Sequence, residues 1–241
     1  MPAGAIAFLF PGQGSQKVGM GSALRESEPE LHARYMGLAE EAAGIPIGRY
    51  AQEGPIEELT RTDVAQPALF ATSLALDELA RQAGVRPAFV AGHSLGEWTA
   101  AVAAGALQLE DGMRLVCGRG RLMAAAQEER PGSMAALGGL ADGDLRKLCE
   151  DASADGVVVP ANFNSPGQVV ISGDSAAVAR AMELAREAGG RAMPLRVGAA
   201  FHSPLMEDAH ARLRELLEDV EVRDAEVPIA ANARGALVSG G

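Results

Sequence analysis

The sequence predicts an α/β protein that consists of a large domain with a parallel sheet and a small inserted domain. Two observations lead to this class. Short apolar runs alternate with longer segments of helical periodicity, which is the pattern of layered α/β proteins. Further along, the predicted order of elements is βαββαβ, which is the order of a ferredoxin-like unit. We therefore expect a large domain formed by 1–130 and 198–241 and an insert formed by 131–197.

The first part of the chain alternates between strand and helix patterns. The first run, Ile6–Phe10, is apolar throughout and ends at Pro11-Gly12, as expected for a strand that is buried on both faces. The predicted elements of this part are strands over 6–10 and 88–91 and helices over about 22–43, 63–81, 97–104 and 110–127.

The ferredoxin-like order begins after Pro131-Gly132, where the pattern changes. Its predicted elements are strands over 134–137, 157–161, 169–172 and 191–195 and helices over 142–152 and 176–188. Beyond the insert, Ser203-Pro204 is typical of a helix cap followed by a first-turn proline. We expect that helix to run to about residue 220 and a last strand to cover 227–231.

Composition and charge exclude several classes of protein. The 241 residues carry a net charge of 21 − 32 = −11, whereas a nucleic-acid binder presents a basic face. Cys117 and Cys149 lie in separate predicted helices and show neither a disulfide framework nor a metal-ligand spacing. No stretch has the length of a membrane span, and the N-terminus lacks the pattern of a signal peptide. These observations predict a cytoplasmic protein.

The most informative motif is Gly92-His93-Ser94-Leu95-Gly96. It lies between a predicted strand and a predicted helix, which is the context in which G-x-S-x-G forms a nucleophile elbow. Such a turn exposes the serine hydroxyl, and the flanking glycines allow close backbone approach. The alternative is a Gly-Ser turn without chemistry.

A serine nucleophile needs a base, and the chain has four histidines. His32 and His210 lie in mixed polar helical segments and are expected at the surface. His93 is the neighbour of Ser94, and adjacent side chains at an elbow point in different directions. His202 directly precedes a predicted helix and is the best candidate, although it could instead cap or pack.

The loop after the first strand, Pro11–Gln16, is rich in glycine. A phosphate-binding loop is excluded because G-x-G-x-x-G would require glycine at Lys17. We expect the loop to supply one N–H donor of an oxyanion hole and Leu95, which follows the serine, to supply the other. A plain turn between strand and helix is the alternative.

Arg119 lies on the apolar stripe of its predicted helix, four residues after Leu115 and three before Leu122. A buried guanidinium requires an anion, and its planar fork suits a carboxylate. Either a protein Asp or Glu or a ligand supplies that carboxylate, and the spacing alone favours a protein partner. Arg114 and Arg121 share a different face, which we expect to be solvated.

Six motifs in this order resemble those of the malonyl-CoA:acyl-carrier-protein transacylases and the acyltransferase domains of polyketide synthases. The similarity extends from near residue 5 to the end of the sequence. The motifs are Phe8–Gln16, Gln66–Phe70, Gly92–Glu97, Arg119-Gly120 with Met123, Ala161–Gln168 and Phe201–Met206. The resemblance implies an α/β-hydrolase-like large domain with a ferredoxin-like insert. Members of the family usually continue for several tens of residues beyond this endpoint, so we expect the large domain to be incomplete at its C-terminal side.

The resemblance also implies roles for individual residues. Ser94 would be the nucleophile, His202 the base, and the N–H groups of Gln13 and Leu95 the oxyanion hole. Arg119 would bind the free carboxylate of a malonyl group, which reverses the expectation from spacing.

The remaining implied positions concern the acyl pocket. Phe201 resembles the residue of variants that prefer malonyl, because a bulky ring would crowd a methyl branch on the acyl α-carbon. Gln66, Asn162 and Met123 would line or support the site.

The implied reaction is ping-pong transfer of malonyl from malonyl-CoA to an acyl carrier protein, in fatty-acid or polyketide synthesis. It implies no metal and no cofactor beyond the coenzyme A thioester that is the substrate. We expect a monomer or a part of a larger synthase. An acyl-thioester hydrolase of the same fold is the alternative function.

Overall fold

A computed structural model describes residues 4–195 and 197–240, which form two units with a separate sheet in each. One unit comprises the described residues up to Arg121 together with those from Glu215 onwards, and the other comprises Leu122–Arg214. The predicted insert, 131–197, lies inside the second unit. The α/β class is confirmed.

The elements follow one another along the chain as strands and helices of ordinary length. The α-helices are α1 (Ser22–Ser27), α2 (Pro29–Ala43), α3 (Ile47–Glu53), α4 (Ile56–Thr60), α5 (Thr62–Gln82), α6 (Leu95–Ala103), α7 (Leu109–Glu129), α8 (Asp142–Ala152), α9 (Ser175–Glu187) and α10 (Glu207–Leu217). The strands are β1 (Ala7–Phe10), β2 (Phe89–Gly92), β3 (Ser133–Gly138), β4 (Val158–Ser165), β5 (Gln168–Gly173), β6 (Arg191–Pro194), β7 (Ile229–Ala231) and β8 (Ala236–Val238).

The sheet of the first unit has the strand order β1-β2-β7-β8. Strands β1, β2 and β7 are parallel, and β8 returns antiparallel to β7. In this register Phe10 pairs with Gly92. The carboxyl ends of β1 and β2 therefore meet at one edge of the sheet, where ligands bind in open α/β sheets. Both the glycine-rich loop after β1 and the elbow after β2 begin at that edge.

Apolar side chains from this sheet pack against α6. Phe10, Val90 and Ile229 from three strands and Ala100 and Ala104 from the helix segment form one buried cluster. The small alanines bring the helix close to the strands, which fixes where the turn between β2 and α6 lies.

The sheet of the second unit has the order β4-β5-β3-β6, and every neighbouring pair is antiparallel. Together with α8 and α9 this is the predicted βαββαβ unit. Side chains of both helices and of the sheet form its core, including Leu137, Leu145, Ile171 and Val178.

The structure differs from the predicted helix over 22–43. The segment forms α1 and α2, which are separated at Glu28 with φ −136° and ψ 66°. The cause is Pro29, which occupies the first position of α2, where its missing N–H is tolerated. The short helices α3 and α4 and the strand β8 were not predicted, because three to seven residues carry too little periodicity to detect.

The predicted surface position of His32 is wrong. Its side chain is buried next to Gly21, and its Nε2 has no hydrogen-bond partner among the described residues. His32 belongs to the buried stripe of α2 with Tyr35, Met36 and Ala39, at the spacing of one helix face. The spacing indicates a buried position for His32, but the prediction relied on the polar residues around it in sequence. The exposed position of His210 is confirmed.

Replacement of His32 by leucine should reduce the loss of stability on acidification. Burial, and then the charge of Arg25, lower the pKa of His32 from its ordinary value of 6.5, so the folded state disfavours the charged ring. Below that ordinary value the unfolded chain binds a proton that the folded chain does not, and folding weakens. Between about pH 7.5 and pH 5.5 the wild type should therefore lose more of its free energy of unfolding than His32→Leu.

Urea denaturation followed by circular dichroism at both pH values measures this difference. His210→Leu, which removes an exposed histidine, is the matched control. An identical pH response in His32→Leu and in the wild type would contradict the prediction.

Candidate active site

Ser94 occupies the turn between β2 and α6 in a strained backbone conformation. Its φ is 52° and its ψ is −102°, which is a region that L-residues rarely adopt. Two glycines allow the turn to close, because a Cβ on Gly92 would overlap the backbone of Gly96 and one on Gly96 would overlap the carbonyl oxygen of Phe10. The sequence pattern therefore corresponds to a sharp turn with a half-buried serine.

Within residues 4–195 and 197–240, only Ser94 and His202 are non-glycine residues with positive φ. The φ of His202 is 60°. Strained residues of this kind cluster at functional sites, because they persist only where the surrounding structure imposes them. The two residues that the sequence selects as nucleophile and base are thus the two strained positions.

The guanidinium of Arg119, on α7, lies next to Ser94. Its Nη2 donates to Ser94 Oγ at 3.0 Å and its Nη1 donates to Gln66 Oε1 at 2.6 Å. The side chain is only 8% exposed. Burial lowers the pKa of Arg119 to about 10, and the charge of Glu97 opposes this shift. The group therefore remains positively charged at neutral pH.

The expectation from spacing that a protein carboxylate pairs with Arg119 is wrong. Both of its hydrogen-bond acceptors are neutral oxygens, from Gln66 and Ser94. Helix periodicity predicts which face is buried, but it carries no information about the side chain that the opposite helix presents, and α5 presents an amide there. A buried cation without a carboxylate partner is typical of a site that receives an anionic ligand.

A chain of amide hydrogen bonds extends from Arg119 to the loop after β1. Gln66 Nε2 donates to Gln13 Oε1 at 3.3 Å, and Gln13 Nε2 donates to Thr62 Oγ1 at 3.1 Å. Gln66 is fully buried and Thr62 is nearly so. Both polar atoms of the Gln13 side-chain amide are therefore hydrogen-bonded. Sequence reasoning missed Thr62, since a single threonine at the start of a helix gives no functional signal.

Two backbone N–H groups of the elbow have different environments. Leu95 is the first residue of α6, so its N–H has no acceptor inside the helix, and the helix N-terminus favours negative charge. The N–H of Ser94 donates to Asn232 Oδ1 at 3.0 Å.

Asn232 makes two more bonds to this region, and sequence reasoning missed it entirely. Its Nδ2 donates to the carbonyl oxygen of Gly92 at 2.7 Å, and its backbone N–H donates to Glu97 Oε1 at 2.7 Å. The only signal was an asparagine directly after the last predicted strand, in a position where a turn residue is ordinary.

His202 lies in the second unit, where its neighbours fix its backbone. Phe201 before it is buried, and Ser203 after it donates from Oγ to the carbonyl oxygen of Ala200 at 2.7 Å and accepts from the N–H of Leu205 at 3.2 Å. The predicted cap at Ser203 is confirmed. The histidine side chain itself is exposed.

Three further sequence-selected residues belong to the second unit. Phe201 is part of a buried apolar cluster against which Met123 packs. Asn162 lies on β4 and pairs in register with Val170, which belongs to the same cluster.

The two units divide the nine selected residues. The first unit brings together Gln13, Gln66, Ser94, Leu95 and Arg119, and the second contains Met123, Asn162, Phe201 and His202.

Other nucleophiles and metals have weaker support than Ser94. Cys117 and Cys149 are buried free thiols, and burial raises the pKa of each to about 11, so neither is a thiolate at neutral pH. Among the residues that the structure describes, no three His, Cys, Asp or Glu side chains group as metal ligands would. No helix in the described part of the chain is long and apolar enough to cross a membrane.

A strained serine, a helix N-terminus and a buried guanidinium define a site for acyl transfer, and residues 7–237 match the model of the acyl transferase domain family. The chain belongs to this family.

The individual relatives are more specific. The malonyl CoA-acyl carrier protein transacylases of Bacillus subtilis and Escherichia coli (strain K12) are 45% and 44% identical over 94% of this chain, which spans 72% and 74% of their lengths. Polyketide synthase GfsB of Streptomyces halstedii is 41% identical over 97% of this chain, which spans 4% of its length.

Solved structures of such transacylases have the same fold. The malonyl-CoA:acyl carrier protein transacylase of Xanthomonas oryzae pv. oryzae superimposes with a TM-score of 0.91 and 46% identity, over 98% of this chain and 75% of that one. A malonyl-transacylase in complex with a type II polyketide synthase acyl-carrier protein gives a TM-score of 0.92 at 37% identity, over 98% of this chain and 77% of that one.

Proposed function

We propose that this chain transfers a malonyl group from malonyl-CoA to the phosphopantetheine thiol of an acyl carrier protein. The observation that carries the proposal is the buried Arg119 guanidinium, whose Nη2 lies 3.0 Å from Ser94 Oγ. A single carbon separates the two carbonyl carbons of a malonyl thioester. A fixed positive fork next to the nucleophile therefore suits an acyl group with a carboxylate at its far end.

The first half-reaction forms a malonyl-serine ester. His202 accepts the proton of Ser94 Oγ, and the oxygen attacks the thioester carbonyl. The N–H groups of Gln13 and Leu95 stabilise the oxyanion that develops there. The intermediate collapses when the carbon–sulfur bond breaks. The sulfur takes the proton from His202, and coenzyme A leaves as the thiol.

The second half-reaction returns the enzyme to its starting state. The carrier thiol gives its proton to His202, and its sulfur attacks the malonyl-serine carbonyl. Collapse of the second intermediate breaks the ester bond, and Ser94 Oγ recovers the proton from His202. The chemistry moves one acyl group and two protons, so the proposal includes no metal and no redox cofactor.

Binding of malonyl changes the partners of Arg119. In the free protein its two terminal nitrogens donate to Gln66 and to Ser94 Oγ. A carboxylate is a stronger acceptor than either oxygen, and it compensates the burial of the cation. Once the fork turns to the carboxylate, the serine oxygen loses one donor and regains a lone pair for attack. Substrate binding and activation of the nucleophile are thereby coupled.

Phe201, Met123 and Asn162 complete the proposal as residues of the acyl pocket. The ring of Phe201 is buried in its cluster, so it has little freedom to move away from a branched acyl group. This supports a preference for malonyl over methylmalonyl. Burial of two free thiols, Cys117 and Cys149, suits a reducing compartment, and we place the reaction in the cytoplasm, in fatty-acid or polyketide synthesis.

Incubation with malonyl-CoA should add one malonyl group to the wild type and none to Ser94→Ala. Intact-mass spectrometry measures the adduct, and Ser27→Ala, at an exposed serine of the same unit, is the control. Addition of a phosphopantetheinylated carrier protein should remove the adduct and load the carrier. Free malonate as the main product, with little loaded carrier, would favour the hydrolase instead.

Arg119→Ala should reduce malonyl transfer about 100-fold in kcat/KM, because charge-assisted hydrogen bonds contribute roughly 1.5–3 kcal/mol. Acetyl transfer should change little, since an acetyl group has no carboxylate. Arg121→Ala, at an exposed arginine of the same helix, is the matched control. Equal losses for malonyl and acetyl would show that Arg119 has only a structural role.

Thr62→Val should lower the rate of Ser94 acylation by about fivefold, because one hydrogen bond that holds Gln13 contributes about 1 kcal/mol. Thr62→Ser keeps the hydroxyl and should retain most of the wild-type rate. Rapid-quench mass spectrometry gives the rates, and thermal melting verifies that both variants fold. Equal acylation rates for the valine and serine variants would refute this role of Thr62.

A further inference from the structure

The side chain of Asn232 spans the two ends of the nucleophile turn. Its Oδ1 accepts the N–H of Ser94 at 3.0 Å, and its Nδ2 donates to the carbonyl of Gly92 at 2.7 Å. All three residues belong to the first unit. A single planar amide is thus bonded to Gly92, the last residue of β2, and to Ser94, the strained residue directly before α6.

This pair of bonds requires an acceptor and a donor on one short side chain. An amide supplies both, whereas a carboxylate has no donor and a hydroxyl spans a shorter distance. The amide of Asn232 fixes the carbonyl of Gly92 and the N–H of Ser94 relative to each other. This restricts the conformation of the backbone that joins them. A φ of 52° at Ser94 persists only if surrounding contacts impose it, and the amide of Asn232 is such a contact.

The bond to Asn232 also determines which elbow N–H groups remain for an oxyanion. The N–H of Ser94 is directed to Oδ1 of Asn232, so it is not available to the substrate. The N–H of Leu95, at the start of α6, has no acceptor inside the helix. The N–H of Ser94 therefore stabilises the turn, and the N–H of Leu95 is left to bind the oxyanion.

We propose that Asn232 is a positioning residue for the nucleophile. It holds the turn so that Ser94 Oγ and the N–H of Leu95 keep the geometry that acylation requires. It touches neither the substrate nor the reacting atoms, and it acts through the backbone of Ser94. This inference rests on the proposed function.

Glu97 is the second anchor of this arrangement. Its Oε1 accepts the backbone N–H of Asn232 at 2.7 Å, which fixes the main chain from which the amide extends. Glutamine at 97 keeps an acceptor oxygen in the same place, whereas alanine removes it. The two substitutions therefore separate the hydrogen bond from the charge that Glu97 places near Arg119.

The test compares wild type, Asn232→Ala and Arg234→Ala, an exposed control two residues further on. Rapid-quench mass spectrometry gives the rate constant of Ser94 acylation by malonyl-CoA. Asn232→Ala should lower this constant on the order of 100-fold, as expected when a nucleophile is displaced by about 1 Å. The Kd of malonyl-CoA, measured by calorimetry in a Ser94→Ala background with and without the second substitution, should change less than about threefold, because Asn232 contacts no substrate.

A merely structural role predicts a different result. It would lower the melting temperature of Asn232→Ala but leave the acylation rate of the folded fraction unchanged, and that outcome would overturn the proposal. If Asn232→Ala does not fold, Glu97→Ala and Glu97→Gln decide. Glu97→Ala should acylate slowly and Glu97→Gln should recover most of the rate, whereas equal rates in both would overturn the proposal. Absence of any adduct in the wild type would instead refute the proposed function.

Discussion

The parallel pairing of β1 with β2 is the constraint on which the site depends. Because Phe10 lies opposite Gly92, the two strands end together, and the loops that follow them lie against each other. A Cβ on Gly12 would lie 2.6 Å from the carbonyl oxygen of His93, and one on Gly96 would overlap the carbonyl oxygen of Phe10. Glycine is needed on both loops for this reason. The pairing brings the Gln13 loop to the serine turn.

The buried charge of Arg119, next to Ser94, favours acyl groups that carry a carboxylate. A guanidinium that is 8% exposed and bonded only to neutral oxygens is destabilising for the free protein, since burial disfavours its charged form. The amide chain through Gln66 and Gln13 to Thr62 reduces that penalty and holds the fork in place. A ligand carboxylate would compensate more of it. The free protein thus keeps a poorly compensated charge where an anionic acyl group would bind.

Sequence reasoning predicted what depends on local pattern and failed where a distant segment decides. Periodicity located the parallel strands and the βαββαβ order, and the Gly-Ser-Gly spacing located the strained turn at Ser94. Periodicity also indicated that Arg119 is buried, yet its two acceptors are Gln66 on α5, 53 residues away along the chain, and Ser94 in the turn before α6, 25 residues away. His32 was misplaced because its polar neighbours were weighed above its stripe on α2. Thr62 and Asn232 had no local signal at all, since each matters only through a partner that folding brings to it.

The strain at Ser94 shows why the pentapeptide is a weak predictor on its own. The glycines leave room for the turn in which Ser94 has a φ of 52°. They do not by themselves favour this conformation over the others that glycine-rich turns adopt. The selection comes from Asn232, whose bond to the Ser94 N–H joins positions 138 residues apart. Asn232 directly follows β7, which pairs with β2, so this strand pairing places the amide next to the serine turn. The pentapeptide therefore supplies the small residues that the sharp turn requires, and the contact with Asn232 adds a constraint that holds Ser94 in its strained conformation.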